Sequence, residues 1–163
     1  FRREVFKEII YFGDKEMPGG LFIAFSTLYI KAYLMKQDIL TLEDIKLLVD
    51  AFYDKVKING LLGPVFNQKI QDRWAVHLEK MYRFWQTVLL GEHTYFGSPF
   101  PPHAQLPVGH EHFLKWMELF NETVDELFTG EKAEEAKWRA GKMAELFEFK
   151  IEHYRKAGIN SLL

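Results

Sequence analysis

The sequence predicts an all-α domain, and three observations carry that reading. Apolar residues recur at helical spacing in four separate stretches. Capping or breaking residues bound these stretches. No run of alternating β-branched residues competes with them, and no internal repeat is visible.

The first stretch opens at Thr41-Leu-Glu-Asp44, a cap followed by acids that complement the helix dipole. Ile45, Leu48, Val49, Phe52, Tyr53 and Val56 then form one stripe, expected to run to about residue 58, where Asn59-Gly60 stops it. LLGPVFNQKI, residues 61–70, reads as a short irregular piece. The second helix carries Trp74, His77, Leu78, Met81, Trp85, Val88 and Leu89 on one face and ends at Gly91. The third, over 113–128, turns Phe113, Trp116, Met117, Phe120, Val124, Leu127 and Phe128 inward. A last long helix starts at Glu131 and buries Ala136, Ala140, Met143, Ala144, Phe147, Ile151 and Tyr154.

Between the second and third helices lies GEHTYFGSPFPPHAQLPVG, residues 91–109, whose glycines and prolines exclude a long helix. An irregular segment of this length inside a helical domain tends to be functional. It holds His93 and His103, and the HAQL around His103 leaves room for little more than one helical turn between prolines.

Composition narrows the chemistry. The 163 residues suit one domain with a real core. Apolar residues make up 48% and aromatics 16%, enough flat side chains to wall a flat ligand or simply to fill helical cores. Net charge is −2 with no long run of one sign, which argues against a nucleic-acid partner. The absence of cysteine excludes disulfides and thiolate metal sites and leaves histidine as the strong nitrogen ligand. It fits a reducing cytosol, and a cytoplasmic location is expected.

Residues 19–34, GGLFIAFSTLYIKAYL, form an apolar stretch interrupted by Lys31, shorter than a spanning helix requires and without a secretory cleavage signature. Met35 opens MKQDILTLEDI, which reads like an ordinary translational start. Residues 1–34 are therefore expected to be an extension running in from upstream, outside a functional domain at 35–163. A weak membrane anchor is the alternative.

Three polar groups stand where apolar residues are expected. Tyr53 ends the inner stripe of the first helix, His77 lies one turn after Trp74 and one before Met81, and Trp116 interrupts the third stripe. Each needs a partner if buried. Taken singly, each also reads as an ordinary core residue, and His103 as a cap or loop residue. Together they form the set an iron porphyrin needs: one imidazole beneath the metal, donors above, aromatic walls around. His110 and His112 form an H-x-H at the start of the third helix. They would point about 200° apart there and could not easily share an ion. His93 and His153 read as surface residues.

AFYDKV, LLGPVFN, RWAVHLEKMYRFWQTVLLG, YFGSPFPPHAQLP, HFLKWMELFNETVDELF and AEEAKWRAGKMAELFEFKI resemble, in order, blocks of the group III truncated haemoglobins. They cover roughly residues 42–151. The resemblance implies a two-over-two helical sandwich with a vestigial proximal helix. It implies haem b with His103 as proximal iron ligand, its other N–H donated to a backbone carbonyl. Tyr53, His77 and Trp116 match distal residues, and Phe66 matches the phenylalanine wedged against the porphyrin. Met81 and Lys80 are placed beside the cofactor. Lys80 and Arg83 are candidates for the haem propionates, with solvated helix-face charges as the alternative. The extension over 1–34 has no counterpart in the family, and His77 has two readings, bonding the ligand or gating the pocket.

The implied function is reversible binding of O2, NO or a similar diatomic ligand at a five-coordinate iron. Oxidation of NO or peroxidase-like chemistry with a separate reductase is the enzymatic alternative. A haem-free helical interaction module is the reading from another class.

Overall fold

The structure, a computed structural model, describes residues 36–158. The expectation of a separate extension over 1–34 falls outside them. Among the described residues the helices are α1 (Leu42–Ile58), α2 (Leu62–Ile70), α3 (Trp74–Leu90), α4 (His110–Leu127) and α5 (Glu131–Lys156). Short 3-10 turns at Gln71–Arg73 and Pro101–His103 complete the element order. None of these helices is long and apolar enough to cross a membrane.

Helix α1 begins where the sequence places it. Thr41 accepts from the Asp44 N–H while the Asp44 carboxylate accepts from the Thr41 N–H, a reciprocal capping box. Its buried stripe is Ile45, Leu48, Val49, Phe52, Tyr53 and Val56, as the spacing predicts.

The 61–70 segment differs from expectation: it is helix α2, not an irregular piece. Pro64 is its third residue, in the first turn, where the missing N–H has no intrahelical acceptor to lose. Asn59 Oδ1 accepts from the Leu61 and Leu62 N–H groups, both at 3.0 Å. The residue that stops α1 therefore also starts α2. A Cβ on Gly63 would lie 2.7 Å from the Lys57 carbonyl oxygen, so glycine lets α2 fold back against the end of α1.

Helices α1 and α3 form one layer and α4 and α5 the other, with α1 also packed on α4. Only 128–130 join α4 to α5, which pairs these two helices along their lengths. The Tyr82 hydroxyl of α3 donates to Asp50 of α1 and clasps the first layer. Ala133, Ala136 and Ala140 face the main core from α5, and their small side chains allow close approach.

The start of α5 is capped from far away in sequence. Gly130 stands at its N-cap with φ 136°, and a Cβ there would fall 2.4 Å from Asp38 Cγ. Asp38 supplies the missing cap: its carboxylate accepts from Lys132 N–H at 2.9 Å and Ala133 N–H at 2.8 Å. Burial opposes the Asp38 charge, but backbone donors from Lys132, Ile39, Ala133 and Glu131 outweigh it and hold the pKa below its ordinary 3.8. A depressed carboxylate stabilises the fold above its unfolded pKa and stops doing so as pH falls through the folded one. Asp38→Ala is therefore expected to cost about 1–2 kcal/mol near neutral pH. In urea melts at a series of pH values the cost should shrink once pH drops below 3.8. A cost independent of pH would show that the charge plays no part.

Candidate functional site

A cleft of about 1210 Å³, its mouth included, opens between the helices. It is concave and mostly apolar with a few polar groups, the form that small-molecule and cofactor sites take. Its walls belong to two separate hydrophobic clusters. One contains Phe52, Tyr53, Trp85 and Phe120, with Phe66, Met81 and Trp116 packed against it. The other contains Phe100, Ala104, Val108, Phe147 and Ile151. Met143 packs against both.

On the first wall, Tyr53 reaches the cleft from the fourth turn of α1 and is 5% exposed. Its ring stands edge-on to His77, centroids 4.9 Å apart and planes at 89°. Phe52 lies between Tyr53, at 5.0 Å, and Trp116, at 5.2 Å, and so ties α1 to α4. Trp116 in turn stacks flat on Phe120, 5.3 Å away with 5° between planes. The three polar groups expected to converge do so. Burial alone pushes the Tyr53 hydroxyl well above the ordinary tyrosine pKa, so it keeps its proton. Burial, aided by His103 and Lys80, brings His77 down to about 4. His77 Nε2 is buried without a hydrogen-bond partner.

On the second wall stands His103, at the end of the 3-10 turn Pro101–His103. Prolines at the start of that turn, where no N–H is required, let a single turn form inside a segment that cannot be helical throughout. The imidazole lies 5.0 Å from the Phe147 ring centroid. His103 Nδ1 is 2.8 Å from the Pro99 carbonyl oxygen. A carbonyl only accepts, so the proton sits on Nδ1 and the Nε2 lone pair is free. Burial lowers the His103 pKa; the carbonyl contact opposes that, and Lys69 and Lys80 add to it. Near neutral pH the ring is uncharged, the form that binds metals.

All seven residues singled out from the sequence line this cleft: Tyr53, Phe66, His77, Lys80, Met81, His103 and Trp116. Arg83 does not. It pairs with Glu79 at 3.0 Å on the outer face of α3, the solvated alternative. Sequence reading missed Lys69 and Tyr95 at the cleft, and Phe113 and Phe147 in its walls. It also missed His112. That side chain accepts from the Gly109 N–H at 3.1 Å and lines the cleft, while His110 faces Glu148 at 2.7 Å. The two histidines part company as their helical offset requires. The signal available for His112 was the glycine three residues before it, at the helix start.

Among the described residues no group of three or more histidines or carboxylates could hold a bare ion. One imidazole with a free Nε2 suits instead a metal whose other ligands come with it. The partnerless His77 Nε2 on the first wall and the apolar walls suit a flat macrocycle, so the residues present fit haem.

The family model of bacterial-like globins matches residues 38–151. The chain belongs to this family. It is 33% identical over 124 residues to the group 3 truncated hemoglobin ctb of Campylobacter jejuni, covering 74% of this chain and 98% of that protein. The crystal structure of the group III truncated hemoglobin from Campylobacter jejuni superposes with TM-score 0.67 at 34% identity, covering 72% of this chain and 95% of that one. This group III truncated globin is thus all-α with the family's helical fold, and membership implies a haem cofactor.

Proposed function

We propose that the cleft holds haem b, with His103 Nε2 as the protein's ligand to iron and Tyr53, His77 and Trp116 facing the opposite side. The observation that carries this reading is the 2.8 Å contact from His103 Nδ1 to the Pro99 carbonyl, which fixes the tautomer a metal requires. Bound there, the haem supplies an iron that takes O2, NO or a similar diatomic molecule reversibly.

The chain's own residues then set how tightly that molecule is held. Tyr53 keeps its proton and offers an O–H; Trp116 offers an indole N–H, which can only donate. Aromatic walls limit water, so each donor acts at low local dielectric. Phe66 and Met81 supply apolar lining, and Lys80 and Lys69, exposed at the cleft, suit the cofactor's carboxylates. Such a pocket retains its ligand and suits sensing or storage better than delivery.

The low pKa of His77, about 4, favours binding over acid-assisted redox turnover. A neutral imidazole at pH 7 is a poor proton donor for oxygen or peroxide chemistry. Turnover on NO with electrons from a separate reductase is the second reading, and NO consumption above that of free haem, with reductase supplied, would support it.

The test of the main reading is an absorption spectrum of the full chain. Purified protein, or protein titrated with haemin, is expected to show an intense Soret band and reversible ligand-induced shifts once reduced. A colourless chain that takes up no haemin would instead be a haem-free interaction module.

A further inference from the structure

Helix α5 sends Ala133, Ala136, Ala140, Ala144, Phe147 and Ile151 into the core. Its opposite side carries a second pattern that the cleft does not use. Glu131, Glu135, Trp138, Lys142, Glu145, Phe149, Glu152 and Lys156 follow one another at four- and three-residue steps and so form one seam along the outer face, two aromatic residues set among charges of both signs. All are exposed except half-buried Glu135. Trp138 and Phe149 keep 60% and 69% of their surface in solvent. One exposed aromatic residue is ordinary; two in line on one helix, about three turns apart, give two apolar contact points with Lys142 and Glu145 between them.

We propose that this seam pairs antiparallel with the same seam of a second copy, about a two-fold axis passing between Met143 and Ala144. Charge selects both partner and direction. In that register Trp138 meets the second copy's Phe149, and symmetry makes the contact twice. Lys142 meets the second copy's Glu145, and Glu131 meets its Lys156. Only Glu135 and Glu152 oppose with like sign. Glu135 is already neutralised by Lys132 and Arg139, each 2.7 Å away. A parallel pairing would instead set Lys142 against Lys142 and Glu145 against Glu145, which repel. Lys142 and Glu145 pair within the helix at 2.8 Å, so both side chains already lie along the seam and can exchange partners across it. With two aromatic contacts and charged neighbours, the interface falls short of the roughly 1,600 Å² of a standard stable complex. The dimer is reversible and weak.

Sedimentation equilibrium of the full chain from micromolar to millimolar concentration tests this. A reversible monomer–dimer equilibrium is expected, and Trp138→Glu or Phe149→Glu should weaken it at least about tenfold. Lys142→Glu and Glu145→Lys should each weaken self-association, because each sets like charges against each other. Mixing these two variants should restore a heterodimer. The first carries acid at both positions and the second carries base at both, so every pair facing across the axis is then opposite in sign. Trp138 and Phe149 line no part of the cleft, so haem uptake should not change. A chain that stays monomeric throughout, a dimer indifferent to these substitutions, or a mixture no tighter than its components overturns the proposal.

Discussion

Replacing Tyr53 by Phe is expected to speed O2 release from the reduced haem protein by about tenfold, and Trp116→Leu by a similar factor. A reduced haem in the cleft would supply an iron that leaves its O2 partly negative, and the O–H of Tyr53 and N–H of Trp116, both lining the cleft, would be the donors that hold it. Net hydrogen-bond contributions of about 1–1.5 kcal/mol correspond to roughly five- to tenfold in a dissociation rate. Tyr53 is suited to the task because burial raises its pKa, so it remains a donor at any working pH. Its ring is fixed by neighbours on three sides, with Phe52 at 5.0 Å, His77 at 4.9 Å and Phe66 at 6.0 Å. Phenylalanine keeps those contacts and removes only the O–H. Stopped-flow release rates unchanged in both variants would remove the donor account of the pocket.

Phe120→Ala carries the largest expected cost in stability, about 3–5 kcal/mol by chemical denaturation. Phe120 is 1% exposed and stands between two tryptophans. Trp85 stacks on it at 5.1 Å with 20° between planes, and Trp116 at 5.3 Å with 5°. Phe52 meets it edge-on at 5.3 Å. Truncation leaves a cavity among three large rings that cannot collapse without moving Trp116, one turn away on α4. The variant should therefore also bind its ligand less tightly, although Phe120 does not line the cleft. Phe120→Leu, which keeps most of the volume, should lose about 1.5 kcal/mol or less. Equal losses for the two variants would mean the ring stack carries no special weight.

The legible parts of the fold were those where local signals agreed. Thr41 to Val56 combined a capping box with an uninterrupted stripe, and α1 follows it residue for residue. Helix α2 was illegible because Gly63-Pro64 reads as a break in isolation. Asn59 acts twice, ending α1 and accepting from the Leu61 and Leu62 N–H groups, and with the close approach of Gly63 to Lys57 this makes a helix start of what reads as a stop. The Asp38 cap on α5 joins residues more than ninety positions apart, beyond any local pattern. At the site, the buried donors could be read because polar residues broke apolar stripes, and His103 because prolines framed it. Lys69, Tyr95 and His112 broke no stripe. Their place at the cleft depends on how α2, the 91–109 segment and α4 pack, which the sequence does not state locally.

In the proposed function a single imidazole, that of His103, held by a backbone carbonyl on its far nitrogen, binds the iron. The most direct test is the absorption spectrum of haem-loaded His103→Gly beside the parent, without and with free imidazole. The variant is expected to lose the parent's spectrum and to regain it as imidazole fills the space left by the ring. A variant whose haem spectrum matches the parent's without added imidazole would place the iron's ligand elsewhere and contradict the account.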